Sequence, residues 1–333
     1  MSGAAVIALF AAGQPADALV ITPNFGSSIT GNANAAAIEG AINTAIGTID
    51  GLYSPNNVSI TVDFSYNPAA AGNLLSTTQF FYDYSYSAYK AALTADSTAN
   101  LSNTNLALAV ANLSKGNNAN GQKDMAVAFA QALLLENYGL TAPTFVADAA
   151  VNINSNANFD FTRPVPGNQF DAIGGLEHEL DEVLGGGGAG STLNALGNPF
   201  FANKVGSLDL YRYSAGVPSF STSSSVSSYL SIDGGTTAVV GFNQGAAPPA
   251  GCPGGDFADF APNGAGAGQL IQNACNSTGQ DEAYTTSSPE FLMEEAIGWD
   301  PTAQVVATPE PGTLALLGTS LLGFAALRRR RRQ

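Results

Sequence analysis

Histidine is nearly missing from this chain: His178 is the only one in 333 residues. With a single imidazole and no Gly-x-Ser-x-Gly elbow anywhere, serine catalysis has no support. Cysteine is almost as scarce. Cys252 and Cys275 stand 23 positions apart in a loop-rich region with no Cys-x-x-Cys clip, which argues against a thiolate metal site and leaves a disulfide as the natural reading if the chain is exported. Cations are few, with 11 Lys and Arg against 26 Asp and Glu, and five of the 11 are the terminal run Arg328 to Arg332. Between residues 19 and 308 six basic residues face 24 acidic ones, a net charge of −18. Such a surface repels nucleic acid and anionic membranes and suits divalent cations. No nucleotide-binding glycine motif is present either, because Gly185 to Gly190 follows a helical pattern instead of joining a strand to a helix.

What the chain does have is the string His178-Glu179-Leu180-Asp181-Glu182 inside a helical pattern from Phe170 to Leu184. Residues at i and i+4 share a helical face, so His178 and Glu182 can aim one nitrogen and one carboxylate at the same metal ion. Glu179 projects beside them as a candidate base. This is the geometry of the zinc-protease helix motif His-Glu-x-x-His with glutamate at the second ligand position. The plainer alternative is an exposed helix face on which Glu177, Glu179, Asp181 and Glu182 are merely solvated. Against it, four carboxylates within six residues repel one another on an isolated helix, and a bound dication would relieve that repulsion.

Both ends read as processed segments. Met1 to Ala18 is apolar and closes on Ala16-Asp17-Ala18, a small-x-small cleavage site, so residues 1–18 are expected to be a signal peptide. At the other end Pro309-Glu310-Pro311 precedes the apolar run Gly312 to Leu327 and then the arginines. This arrangement, over residues 309–333, resembles the bacterial PEP-CTERM sorting signal read by an exosortase. The apolar run is short for a span of about 20 residues, which fits a transient inner-membrane anchor whose arginines stay cytoplasmic. The resemblance implies an exported protein, anchored in passing and then at the cell surface or outside the cell.

Between the ends, helical periodicity runs from Asn34 to Leu52, and Val58 to Phe64 alternates as a half-buried strand. Further helices are expected at Thr77 to Thr94 and Lys123 to Tyr138, with a strand at Thr144 to Ile153. The motif helix, about 168–185, ends at the glycine run. From about residue 205 strand signals dominate, at Leu208 to Tyr213, Tyr229 to Asp233 and Ala238 to Phe242, before a helix at Pro289 to Ile297 and a linker over 301–308. The expected fold is α+β over residues 19–300, a mixed sheet with an active-site helix followed by a strand- and loop-rich part.

Taken together, Phe170-Asp171, His178-Glu179-Leu-Asp-Glu182-Val-Leu-Gly185, Asp209-Leu-Tyr-Arg-Tyr213, Ser231-Ile-Asp233-Gly-Gly, Asp256-Phe-Ala-Asp259-Phe and Ile297-Gly-Trp-Asp300 resemble a family of exported bacterial metalloproteases, and more loosely the metzincin zinc proteases. In the metzincin pattern His178, Glu179 and Gly185 match, while Glu182 and Gly188 replace the second and third histidines. The resemblance implies a zincin-type domain holding Zn²⁺, or a harder divalent cation given the oxygen-rich set, and a protein or peptide substrate. His178 and Glu182 would bind the metal and Glu179 would shuttle the proton. Asp209 is the candidate third ligand, and Tyr213 could hydrogen-bond the oxyanion. The rival reading is a non-catalytic surface or matrix protein on the same scaffold, with structural cations.

Overall fold

The computed structural model describes residues 19–53, 57–70, 73–113, 124–144, 149–195, 198–215, 226–243, 255–261, 270–282 and 284–302. These all belong to one compact unit that runs to Thr302. The expected signal peptide, most of the expected linker and the residues of the sorting signal lie outside the described residues. So does Cys252, and with it the expected disulfide.

The chain opens with strand β1 (Val20–Phe25), a single helical turn α1 (Ser27–Thr30), helix α2 (Ala35–Leu52) and strand β2 (Ser59–Asn67). β1 and β2 pair in parallel, which requires a crossover, and α2 supplies it. Ile38, Ala41, Ile42, Ala45, Ile46 and Ile49 form the buried stripe of α2. Each isoleucine stabilises the fold by about 1.5–3 kcal/mol through burial.

From there the chain departs from its expected pattern. Thr77 to Thr94 is not one helix but strand β3 (Leu75–Thr78), strand β4 (Phe81–Ser85) and then helix α3 (Tyr86–Ala99). The aromatic run is extended because Phe, Tyr and Thr fit a pleated, half-buried surface. The helix starts only at Ser85, whose side chain accepts the Ala88 N–H as an N-cap. Helix α4 (Thr104–Asn112) follows, capped by Asn103. Lys123 to Tyr138 likewise divides into strand β5 (Asp124–Ala128) and helix α5 (Phe129–Glu136). Residues Met125 to Ala128 are all buried, so this short strand carries no alternation to set it apart from a helix.

Strand β6 (Ala149–Asn154) precedes two short strands, β7 (Phe159–Asp160) and β8 (Phe170–Asp171), and then helix α6 (Ala172–Leu184), which carries the motif. Strands β9 (Lys204–Gly206), β10 (Arg212–Tyr213) and β11 (Tyr229–Leu230) are followed at the end by helix α7 (Pro289–Ala296). The strand-rich reading of this region is only partly met. Leu208–Tyr211 is a 3₁₀ turn, and Gly241 and Phe242 make isolated bridges.

The main sheet has the order β1, β2, β6, β3. Its first three strands are parallel, and β3 runs antiparallel along the edge. A second sheet has the order β4, β5, β9. α6 packs against α2 and against β3, so the motif helix lies beside an antiparallel edge strand. The fold is α+β with mixed sheets.

Candidate metal centre

α6 ends at the glycine run as expected but begins only at Ala172, because Phe170 and Asp171 form strand β8. Asp171 accepts the Ile173 N–H as N-cap, and Gly185 closes the helix at φ 109°, a conformation that favours glycine. The indole N–H of Trp299 donates to the Leu184 carbonyl at 3.0 Å, satisfying one of the orphan acceptors at the helix end. The Ile297-Gly298-Trp299-Asp300 motif is therefore a clasp on the motif helix from the far end of the domain.

Every residue of α6 except His178 is buried. The solvated acidic face is thereby ruled out, and each carboxylate has a distinct environment. Glu177 pairs with Arg163 at 3.2 Å. Asp181 accepts the Tyr284 hydroxyl at 2.5 Å. Glu179 Oε2 accepts the Thr77 hydroxyl of β3, also at 2.5 Å. Glu182 Oε1 lies 3.7 Å from His178 Nε2.

A third oxygen completes the group, Oδ1 of Asp259, 3.8 Å from the same nitrogen. One ligand atom from each of His178, Glu182 and Asp259 falls within 4.8 Å of the others. The other ring nitrogen, Nδ1, sits 2.7 Å from the Ile271 carbonyl, so it keeps its proton and Nε2 is the nitrogen that a cation would engage. Asp259 Oδ1 is buried without a hydrogen-bond partner, a costly state that a cation would relieve. One imidazole and two carboxylates suit Zn²⁺, Mn²⁺ or another divalent ion. By donor chemistry and by this orphaned oxygen, the residues fit a metal.

The electrostatics agree. Burial pushes the Glu182 and Asp259 carboxyls up to about 7, against the opposing pull of His178. Burial and the Glu182 charge raise Glu179 to about 8, although the Thr77 hydrogen bond works the other way. Burial would lower His178, but Asp259, Glu182 and Glu179 together outweigh it and hold the imidazole well above its ordinary range. The acids and the imidazole thus share protons where a dication would displace them. Glu282 and Glu290 are likewise raised by burial, to about 8 and about 7. Folded carboxyls then hold protons that the unfolded chain has released above its ordinary values near 4, so stability falls as pH rises through the folded values. In a chelator, thermal unfolding is expected at higher temperature at pH 5 than at pH 8, with added Zn²⁺ reversing the order; a flat profile would contradict these shifts.

Asp209 does not join the cluster. Its carboxylate accepts from Ser191 Oγ, from the Thr192 N–H and hydroxyl, and from the Gly206 N–H. With its lone pairs spent, Asp209 is a structural anchor for β9 and the turn before it. It also lies 3.8 Å from Arg212, whose guanidinium stacks on Phe242 and donates to Ser228 Oγ and the Phe257 carbonyl. Asp209 therefore acts indirectly, through the segment that carries Asp259. Tyr213 is also displaced from its expected role. It is buried in β10, its ring against Gly235, and it does not line the cavity that His178 faces.

The glycine run has a second use besides ending the helix. A Cβ on Gly188, the position of the third metzincin histidine, would strike the Asp256 and Glu182 carboxylates, and one on Gly187 would strike Gln272. The loop must be bare for those side chains to reach the site.

Sequence reasoning missed Asp259 and Gln272. Asp259 was visible only as one acid of the Asp256-Phe-Ala-Asp259-Phe motif, with no periodicity to assign it a face. Gln272 is fully buried and ties three segments together. Its Nε2 donates to the His178 carbonyl, its N–H to Glu290, and its carbonyl accepts from Phe260, next to Asp259. Gln272→Leu is expected to weaken metal binding by about 10–100-fold, read by competition with a chromogenic chelator; unchanged affinity would remove Gln272 from the site's support.

The cluster opens on a cavity of about 750 Å³ lined by Leu75, Ser76 and Thr77 of β3 on one side and by Asp256, Asp259 and Asn273 on the other. Among the described residues no helix is long and apolar enough to cross a membrane, and the apolar run Gly312 to Leu327 lies outside them. No curated protein and no solved structure matches the chain. Residues 307–331 match the PEP-CTERM protein-sorting motif, so the chain carries a sorting signal that implies export, a transient stay at the membrane and processing by an exosortase.

Proposed function

We propose that the protein is an exported metal-dependent peptidase, with His178, Glu182 and Asp259 as metal ligands and Glu179 as general base. The observation that carries this reading is the convergence of Glu182 Oε1 and Asp259 Oδ1 on His178 Nε2, with Nδ1 anchored on a backbone carbonyl. A dication held there supplies Lewis acidity toward water and a substrate carbonyl. Glu179 does the proton work. Its Oε2 is fixed by Thr77, leaving Oε1 to take a proton from the attacking water as the C–O bond forms and to give it to the amine nitrogen as the C–N bond breaks. Burial opposes the ionisation of Glu179, which favours the return of the proton to the amine.

The edge strand favours a peptide over a small ester or sugar. Among the described residues β3 pairs with β6 alone, and its residues border the cavity, so an extended chain can add to it as a further strand. Paired-carboxylate glycoside hydrolysis does not fit, since Glu179 and Glu182 lie on one helix and cannot flank a sugar from both faces.

Digestion of unfolded casein by Zn²⁺-loaded protein, followed by mass spectrometry of the fragments, tests the reading. Expected are discrete internal cleavages that vanish with chelator and return with metal. Intact casein after prolonged incubation with metal-loaded protein would sink it.

A further inference from the structure

The cleft is acidic beyond what a metal needs, and among the described residues no Lys or Arg offsets it. Glu179, Glu182, Asp256 and Asp259 all line it. A dication cancels two of those four charges, leaving two. None of the described lining residues is Lys or Arg. Four of the six basic residues between 19 and 308 are engaged elsewhere: Lys90 with the Leu113 carbonyl, Arg163 with Asp171 and Glu177, Lys204 with Asp83, and Arg212 with Ser228 and Phe257. The other two, Lys115 and Lys123, lie outside the described residues, as do 216–225, 244–254 and 262–269, which contain no Lys or Arg.

Asp256 sits at a partition. With Thr77 and Glu182 it lines both the main cavity and a smaller one of about 300 Å³. The smaller cavity has room for one long side chain. Phe81 and Phe201, whose rings meet edge to face at 5.2 Å, form its apolar wall. Its polar side is rich in acceptors, since the Thr77, Ser191 and Thr192 hydroxyls that also line it already donate to Glu179 and Asp209. Gln79 spends its Nε2 on the Glu182 carbonyl, while its Oε1 is buried there with no partner, and Asp256 adds a carboxylate. An apolar wall with an acceptor-rich end matches a side chain with an aliphatic stem and a donor-only head, which describes Lys and Arg.

We infer that the cleft takes an extended peptide segment carrying Lys or Arg beside the bond presented to Glu179, with the cationic head received by Asp256 and Gln79 in the Phe81/Phe201 cavity. The adjacency to a cleaved bond rests on the peptidase reading; the charge selection does not. An acidic residue at that position meets the Asp256 carboxylate and an acceptor that cannot donate, and is rejected.

The test is binding to the Zn²⁺-loaded Glu179→Gln chain, measured by fluorescence anisotropy with short Ala/Ser peptides identical except for a central Arg, Gln or Glu. The Arg peptide is expected to bind about tenfold more tightly than the Gln peptide and the Glu peptide more weakly still. The spread should narrow in about 0.5 M salt, and Asp256→Asn should remove most of it. Equal affinities, no binding of any peptide, or a preference that ignores both salt and Asp256→Asn would overturn the inference. A clear Arg preference in a protein whose wild type cleaves none of these peptides or casein would uphold the binding inference and sink the peptidase reading.

Discussion

Glu179→Gln is expected to slow peptide cleavage by about 10²–10⁴-fold while the protein keeps its metal. The substitution preserves size and the hydrogen bond from Thr77, and Glu179 is outside the group of atoms that converge on His178 Nε2. What it removes is a proton acceptor beside the attacking water. Burial, then the Glu182 charge, raise the Glu179 carboxyl in the metal-free site, and because it must be ionised to accept that proton, the wild-type rate is expected to rise with pH. The Gln variant should lose that limb of the profile as well as its rate. Single-turnover cleavage across pH, with metal content measured on the same samples, separates this role from a structural one. A Gln variant that cleaves at the wild-type rate would remove Glu179 from the chemistry.

The second large effect is on the metal itself. His178→Ala deletes the only imidazole and leaves two carboxylates facing each other, so zinc affinity should fall by at least about a hundredfold, more than loss of a supporting residue costs. Asp259→Asn should approach that loss, since Asp259 Oδ1 is the buried oxygen with no other partner. Asp209→Asn behaves differently. Four hydrogen bonds from Ser191, Thr192 and Gly206 converge on that carboxylate, so the expected result is a lower unfolding temperature with metal still bound. Calorimetric titration with Zn²⁺ and thermal unfolding of the three variants distinguish ligands from scaffold.

The sequence made the helix half of this site legible and the loop half illegible. His178, Glu179 and Glu182 could be placed because one helix fixes their spacing, and Gly185 because a left-handed helix end favours glycine. The α+β class was readable from α2 and β2, whose buried positions follow periods of 3.6 and 2. β4 was hidden in an aromatic run that a helical pattern also fits, β3 in the short polar stretch Leu75-Ser-Thr-Thr78 before it, and β5 in an almost wholly buried segment without alternation. The edge strand bordering the cleft was lost with them. Asp259 comes from irregular chain held by single bridges from Phe260 to Phe242 and Asn273. No local pattern ties such a residue to a helix about 80 positions earlier. Asp209 drew attention because it opens a regular-looking motif, yet its surroundings of hydroxyls and amides are set by β9 and the turn after the glycine run.

Metal stoichiometry tests the account most directly. Elemental analysis of the purified protein after zinc loading and gel filtration is expected to find one zinc per chain, lost in His178→Ala and Asp259→Asn and retained in Asp209→Asn. A wild-type protein that emerges with no bound metal, or a His178→Ala variant that keeps it, would contradict the site and the peptidase built on it.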